Sequence, residues 1–265
     1  MNASVSESDR KELQQAKYLL ENPGVAIKIT NILGLPIEEG IKKLPKKWSE
    51  KIGEITRTAL LKASEAAIFT VKDIPGEGSS NKWHKLAVAA SGSVGGFFGL
   101  AALAIELPVS TTIMLRSVAE IARSHGESMA NAETKLACLE VFALGGKRKS
   151  DDGAESGYYA VRALLARSIS EAAEFIAEKG FVEEGAPVLV RLITKISQRF
   201  GIQITEKFAA QAVPAIGAAG GAIINTIFID HFQDMARGHF IVRKLERAYG
   251  KEMIKKLYEE LPQSK

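Results

Sequence analysis

The chain has 265 residues, 46% of them apolar and 25% charged. It is long enough to bury a core without staples and far from the low-hydrophobicity, high-charge composition of a disordered protein. A formal charge of +4 and a pI near 9.0 permit contact with anionic lipid without demanding a polyanionic partner, and a single cysteine, Cys138, excludes an intramolecular disulfide and fits a reducing, cytosolic setting.

The opening MNASVSESDRKELQQ has neither a secretory apolar region nor an Arg-rich amphipathic leader, so no targeting segment is expected. Apolar residues recur at three- and four-residue spacing along nearly the whole chain, and sustained alternation is missing, which predicts an all-α protein. The first helix is expected from Ser6 or Ser8 to Leu20, capped by one of those serines and stopped by Asn22-Pro23-Gly24. A second amphipathic segment, VAIKITNILGLPIEEGIKKL, is interrupted at Pro36. From Lys46 to Lys72 a long helix carries Trp48, Ile52, Ile55, Ala59, Leu60, Ala63, Ala66 and Ala67 on one stripe, with charges opposite. The loop at residues 73–80, DIPGEGSS, separates this region from an apolar centre. Trp83 to about His125 holds one or two helices, with Gly95, Gly96 and Pro108 as interruption points. Helices over Asn131 to Leu144, Tyr158 to Lys179 and Pro187 to Arg199 follow, with a charged loop, GGKRKSDDGAESG, before the second of these. A second apolar run and a closing amphipathic tail from Asp230 end the chain.

Two uncharged runs, Leu86 to Ile105 and Phe208 to Ile229, match the roughly 20 residues needed to cross a bilayer, and Trp83 beside Lys82 and Lys85 suits an interfacial anchor. Only eight residues of the first run are strongly apolar, worth roughly −2.4 to −4.8 kcal/mol of insertion in total. The same residues also describe a buried helix: Gly92 with Gly96, Gly95 with Gly99, and Gly217 with Gly221 have the small-residue spacing that lets two backbones cross closely. On that reading the two runs are Gly/Ala-rich central helices packed on each other.

Chemical motifs are sparse. There is no G-x-S-x-G elbow and no phosphate loop, since SGSVGG is followed by Phe-Phe rather than Lys and Ser or Thr. Basic residues are spread among acids, which argues against nucleic acid as a partner. His231 and His239 lie two turns apart on one helix, about 12 Å along its axis, with Asp230 and Asp234 on the adjacent face. A divalent metal on Asp230, His231 and His239 needs a ligand from another helix, and Glu106 and Glu140, both embedded in apolar sequence, are the natural suppliers. Otherwise those carboxyls serve as ion pairs inside the bundle, Glu106 with Arg116 or Glu140 with Arg243.

The stretches ELPVSTTIMLRSVAEIARSHGE, CLEVFALGG, Gly-Tyr-Tyr-x2-Arg and TEKFAAQAVPAIGAAGGAIINTIFIDHFQDMARGHFIVRKLERAYG resemble the EcsC protein family over roughly Lys46 to Tyr258. The resemblance implies a bacterial helical protein, in a family named for a protein encoded beside an ABC exporter; it supplies no reaction. Its matching positions include Glu106, Arg116, Glu120, Glu140, Arg162, Glu206-Lys207, Asn225, Asp230-His231, His239, Arg243 and Glu246, ionisable or polar groups that either cross-link a bundle or line a polar pocket. Glu106, Arg116, Glu120, Glu140, Asn225 and Arg243 are the pocket candidates.

The expectation is a single-domain multi-helix bundle, with an amphipathic N-terminal helical region (1–45) and an EcsC-like helical domain (46–265). Its expected function is that of a non-enzymatic, membrane-associated accessory or lipid-binding protein at the cytoplasmic face of the inner membrane. Trp48, Trp83, Lys82 and Lys85 are its membrane contacts, and the membrane transport machinery is a protein partner implied by the family. The alternative is a metal-dependent or hydrolase-like enzyme gathering Glu106, Glu140, Asp230, His231 and His239; a protein-binding module is a third.

Overall fold

The structure, a computed structural model, describes residues 5–21, 24–34, 37, 41, 44–68, 99–145, 157–179, 186–211 and 217–262. All regular structure among these is helical. Helix α1 (Glu7–Glu21) is capped by Ser6 rather than Ser8: its Oγ accepts the Asp9 N–H at 3.1 Å and donates to the Asp9 carboxylate at 2.7 Å. Leu13, Ala16, Lys17 and Leu20 form the buried stripe of α1. Helix α2 (Val25–Leu33) stops at Gly34, two residues before the expected Pro36, because Gly34 takes a left-handed conformation (φ 66°) and closes its N–H on the Thr30 carbonyl.

Helix α3 (Lys46–Ala63) buries Ile52, Thr56, Ala59, Leu60 and Ala63 and widens into a π turn at Ser64–Ile68. Ala66 of the expected stripe is exposed. Helix α4 (Gly99–Ser124) runs straight through Pro108, where an interruption was expected. Proline removes one N–H, the one that would meet the Ala104 carbonyl. Ala104 lies on the exposed side of the helix, so water can take that carbonyl and the helix continues.

Helix α5 (Ala132–Glu140) ends in a 3₁₀ turn at Val141–Ala143; α6 (Gly157–Lys179) and α7 (Pro187–Gln211) follow. Helix α8 (Gly217–Tyr249), at 33 residues, is the longest among the described residues, and α9 (Lys251–Glu260) closes the described chain. The uncharged run Phe208 to Ile229 gives the end of α7 and the start of α8, with residues 212–216 between them outside the described residues. The tail expected to begin at Asp230 is instead the continuation of α8. The break falls at Gly250, whose φ of 92° only glycine adopts readily.

Helix α8 forms the axis, packed against α1, α2, α4, α7 and α9, while α3 bridges α4 and α7. Around the axis Phe142, Phe200, Phe228 and Phe232 interlock, with ring centroids 4.8 Å apart for Phe142 and Phe200 and 5.1 Å for Phe228 and Phe232. Helix α1 reaches α8 through Gly238, where a Cβ would stand 2.6 Å from Leu20 Cγ and 3.0 Å from the Ala16 carbonyl. Lys17, buried beside this crossing, donates from Nζ to the carbonyls of Tyr258 and Leu261, both at 2.8 Å, and so ties off the C-terminus of α9. The helices α4 and α8 pack together as expected of the two central helices; residues 86–98 of the first apolar run, with Gly92, Gly95 and Gly96, lie outside the described residues, as do the loops at 73–80 and 146–156.

Candidate functional site

Three helices bring charge to one place. Helix α8 presents His239, Arg243 and Glu246 at i, i+4 and i+7, one face of its C-terminal half; α6 contributes Tyr158, Tyr159 and Arg162 from its first turns, and α5 ends on Glu140. Arg162 grips Glu246 with two bonds, Nη1 to Oε1 at 2.6 Å and Nη2 to Oε2 at 2.9 Å, the fork geometry that makes guanidinium–carboxylate pairs strong. The Tyr159 hydroxyl donates to the same carboxylate at 3.3 Å. From the α4–α5 connection Glu127 accepts Arg243 Nε at 2.9 Å, Thr134 Oγ1 at 2.9 Å and Arg247 Nη1. Burial opposes its ionisation, but the Arg243 bond and charge outweigh that and hold its pKa below the ordinary glutamate value.

Glu140 stands apart from these pairs. It is 4% exposed, and its carboxyl makes no hydrogen bond to any described residue; His239 Nε2 stands 3.7 Å from its Oε2. Burial pushes its pKa up to about 7, against the pull of Arg162 and Arg243. Burial also holds the His239 imidazole neutral, with its Nδ1 hydrogen-bonded to the Tyr158 hydroxyl at 3.0 Å. Glu140, Arg162, Arg243 and Glu246 floor a cleft of about 990 Å³, with Ala163, Ala166, Ile169, Ala173 and Ala177 of α6 along one wall. An uncharged carboxyl among guanidiniums can donate to a bound oxyanion while they supply its charge complement.

A second buried pair lies elsewhere. Lys207 Nζ of α7 donates to Glu106 Oε1 of α4 at 2.8 Å, both side chains almost fully enclosed, with the ammonium 5.1 Å from the Phe228 ring.

The sequence model of the EcsC protein family matches residues 7–245. The chain belongs to this family. No curated protein and no solved structure matches it. The match thus begins with α1, some forty residues before the stretch over which the resemblance ran, and takes in Glu127, Glu140, Arg162, His239 and Arg243, ending one residue before Glu246.

Of the positions singled out in this EcsC chain, the structure brings Glu140, His239 and Arg243 together and adds Arg162 and Glu246, which the family resemblance had named. The expected ion pairs are exchanged: Arg243 holds Glu127 rather than Glu140, and Glu106 holds Lys207 rather than Arg116. Arg116 is exposed and Glu120 half-buried. Asn225 is buried and accepts a bond from Gln211 at 3.3 Å. Asp234 pairs with Lys28 at 3.4 Å and Arg237 at 3.0 Å, while Asp230 lies partly buried. His231 is enclosed beneath Gly145, where a Cβ would come 2.6 Å from its Cε1 and 2.9 Å from Met235 Sδ; burial drives its pKa to about 3, and neither ring nitrogen has a hydrogen-bond partner among the described residues. Among the described residues no three His, Cys, Asp or Glu side chains are placed to hold one metal ion. Cys138 is fully buried, which pushes its thiol pKa up and away from nucleophilic use. Trp48 packs edge-on to Phe208 at 5.5 Å; Trp83, Lys82 and Lys85 lie outside the described residues. Glu127, Tyr158 and Arg247 lie within the stretches that carried the resemblance but were not singled out, and Lys17 lies before them; the role of each depends on partners far along the chain.

Proposed function

We propose that this protein is a non-enzymatic accessory protein that docks on lipid at the cytoplasmic face of the inner membrane through the first half of α4. The observation that carries the reading is the exposed face of that helix. Ile105 is 76% and Val109 52% exposed, one turn apart with Ala101 and Ala104 beside them, and Arg116 follows on the exposed side where anionic headgroups would meet it. The opposite face is fixed in the bundle by Leu103, Leu107, Met114 and the Glu106–Lys207 pair. Leu100–Ser124 is the one described helix long and apolar enough to cross a bilayer, but half of it is buried in protein, which favours lying on the surface over spanning. A partner in membrane transport machinery accords with the family's naming. The enzyme reading gains no comparable support: Glu106 is committed to Lys207, and His231 is shut behind Gly145.

Flotation of the purified chain with phosphatidylglycerol vesicles at low salt tests this. The wild type should rise with the vesicles, and the double variant Ile105→Asp, Val109→Asp should remain below with an unchanged helical spectrum. A wild type that stays with the unbound fraction at low salt removes the reading.

A further inference from the structure

We propose that the cleft over Glu140 is a binding site for a single-chain anionic amphiphile, with its oxyanion seated among Glu140, Arg162 and Arg243 and its apolar chain laid along the alanine face of α6. Charge, an unmet polar group and shape converge on this class of ligand. Three guanidiniums, Arg162 and Arg243 at the floor and the exposed Arg247 at its edge, stand against the two carboxylates bonded to them, Glu246 and Glu127. One cationic charge is left over, and burial raises the pKa of the acid beside it, Glu140, to about 7, so that it is about half protonated at neutral pH and largely so below it. A metal cation or an amine would meet repulsion there; a carboxylate or phosphate would not.

Buried polar groups are normally hydrogen-bonded, yet the Glu140 carboxyl, 96% enclosed and lining the cleft, bonds to no described residue. Its proton is available to an acceptor that enters from the cleft. Beyond it, Ala163, Ala166, Ala173 and Ala177 extend over fourteen residues of α6, about 21 Å of helix. Side chains no larger than a methyl leave this wall low, and Ile169 gives it apolar bulk. The charges around the opening, Glu133, Glu174 and Glu252 against Lys251 and Lys255, leave one acid in excess and keep it wet.

This inference goes beyond the docking surface proposed above and does not rest on it. From Ile105 to Ser124 α4 rises about 28 Å, and the cleft lies at the far end, next to Glu127. Its ligand therefore arrives from solution, which favours one chain over a bilayer-resident diacyl lipid. A fatty acid and a monoalkyl phosphate share the required chemistry.

Isothermal titration of the full chain with laurate, dodecyl phosphate and dodecanol, each below its aggregation threshold, is the test. At least one of the two anions should saturate a single site, and the tighter one identifies carboxylate or phosphate as the source chemistry. Dodecanol, the same chain without charge, should bind at least tenfold more weakly, a comparison that needs no variant. Ala166→Trp, which plugs the groove from an exposed position, should weaken the anion at least tenfold with an unchanged melting temperature, whereas Leu164→Trp, also exposed on α6 but outside the cleft, should bind as the wild type does. No saturable binding of either anion, equal binding of dodecanol, or a folded A166W that binds like the wild type each overturns the proposal. Vesicle flotation reads α4 separately, so either result can fail without the other.

Discussion

At the scale of single residues, the molecule encloses two kinds of ion pair with different consequences. Lys207 and Glu106 are shut away from water together, so removing one leaves the other charged and unpaired in the core. Glu106→Gln or Lys207→Met alone should each cost roughly 3–5 kcal/mol, while the double variant recovers most of the loss, because a buried pair compensates its own desolvation and little more. Urea unfolding of the three variants measures this; equal losses in the double and the singles would show that the pair itself, not the orphaned charge, matters. Glu127 differs because it is held by Arg243 and Arg247 at the edge of the cleft. Its folded pKa lies below the ordinary 4.5, so the native state holds its proton less readily than the unfolded chain. Its contribution is accordingly full above about pH 4.5 and lost as the pH falls through the folded value. Glu127→Gln should therefore lower the urea midpoint at pH 7 and lower it much less at pH 3.5; a difference that does not change between those two pH values would exclude the linkage.

At the scale of helices, close approach at one glycine decides where α1 sits. A Cβ at Gly238 would strike Leu20 Cγ and the Ala16 carbonyl, and backbone cannot yield as a side-chain tip does. Gly238→Ala gains up to about 1 kcal/mol of helix propensity, but overpacking of this kind costs about 1–3 kcal/mol, so the net effect is destabilisation concentrated in α1. Its signature is local: Lys17, buried in the wild type with its ammonium on the α9 carbonyls, should become a tryptic site in the variant before the rest of the chain is cut. Unchanged resistance at Lys17 would mean that α1 is held by its other contacts. The extent of α1 was legible in the sequence because its causes are local, a capping serine at one end and the Asn22-Pro23-Gly24 breaker at the other. Gly238 was not, since a glycine within a helix signals a close crossing only when the opposing helix is known. Pro108 misled for a related reason: its local rule is correct, but whether a lost N–H breaks a helix depends on whether water reaches the freed carbonyl.

At the scale of the whole chain, the all-α class and most helix positions were legible from periodicity, whereas the pairing of charges was not. Arg243 and Arg247 meet Glu127 across 116 and 120 residues, and Lys17 reaches α9 across more than 240; no spacing encodes such distances. The same long-range pairing predicts how the protein opens. Helix α8 packs against α1, α2, α4, α7 and α9, bonds to α6 through His239 and Glu246, and is buried from Ile224 to Leu245 on most of its faces, while α6 exposes one side along Ala163, Leu164, Ala166 and Arg167. Amides released only when the whole core opens should therefore cluster in α8, and exchange there should report the global unfolding free energy. The α6 amides should exchange sooner, through local opening that leaves α8 closed. Hydrogen–deuterium exchange resolved by peptide checks this directly, with the α8 protection compared against the free energy from urea unfolding. If α6 were protected as strongly as α8, the helices would open as one unit, and α8 would be one member of the core among equals rather than the element on which the others depend.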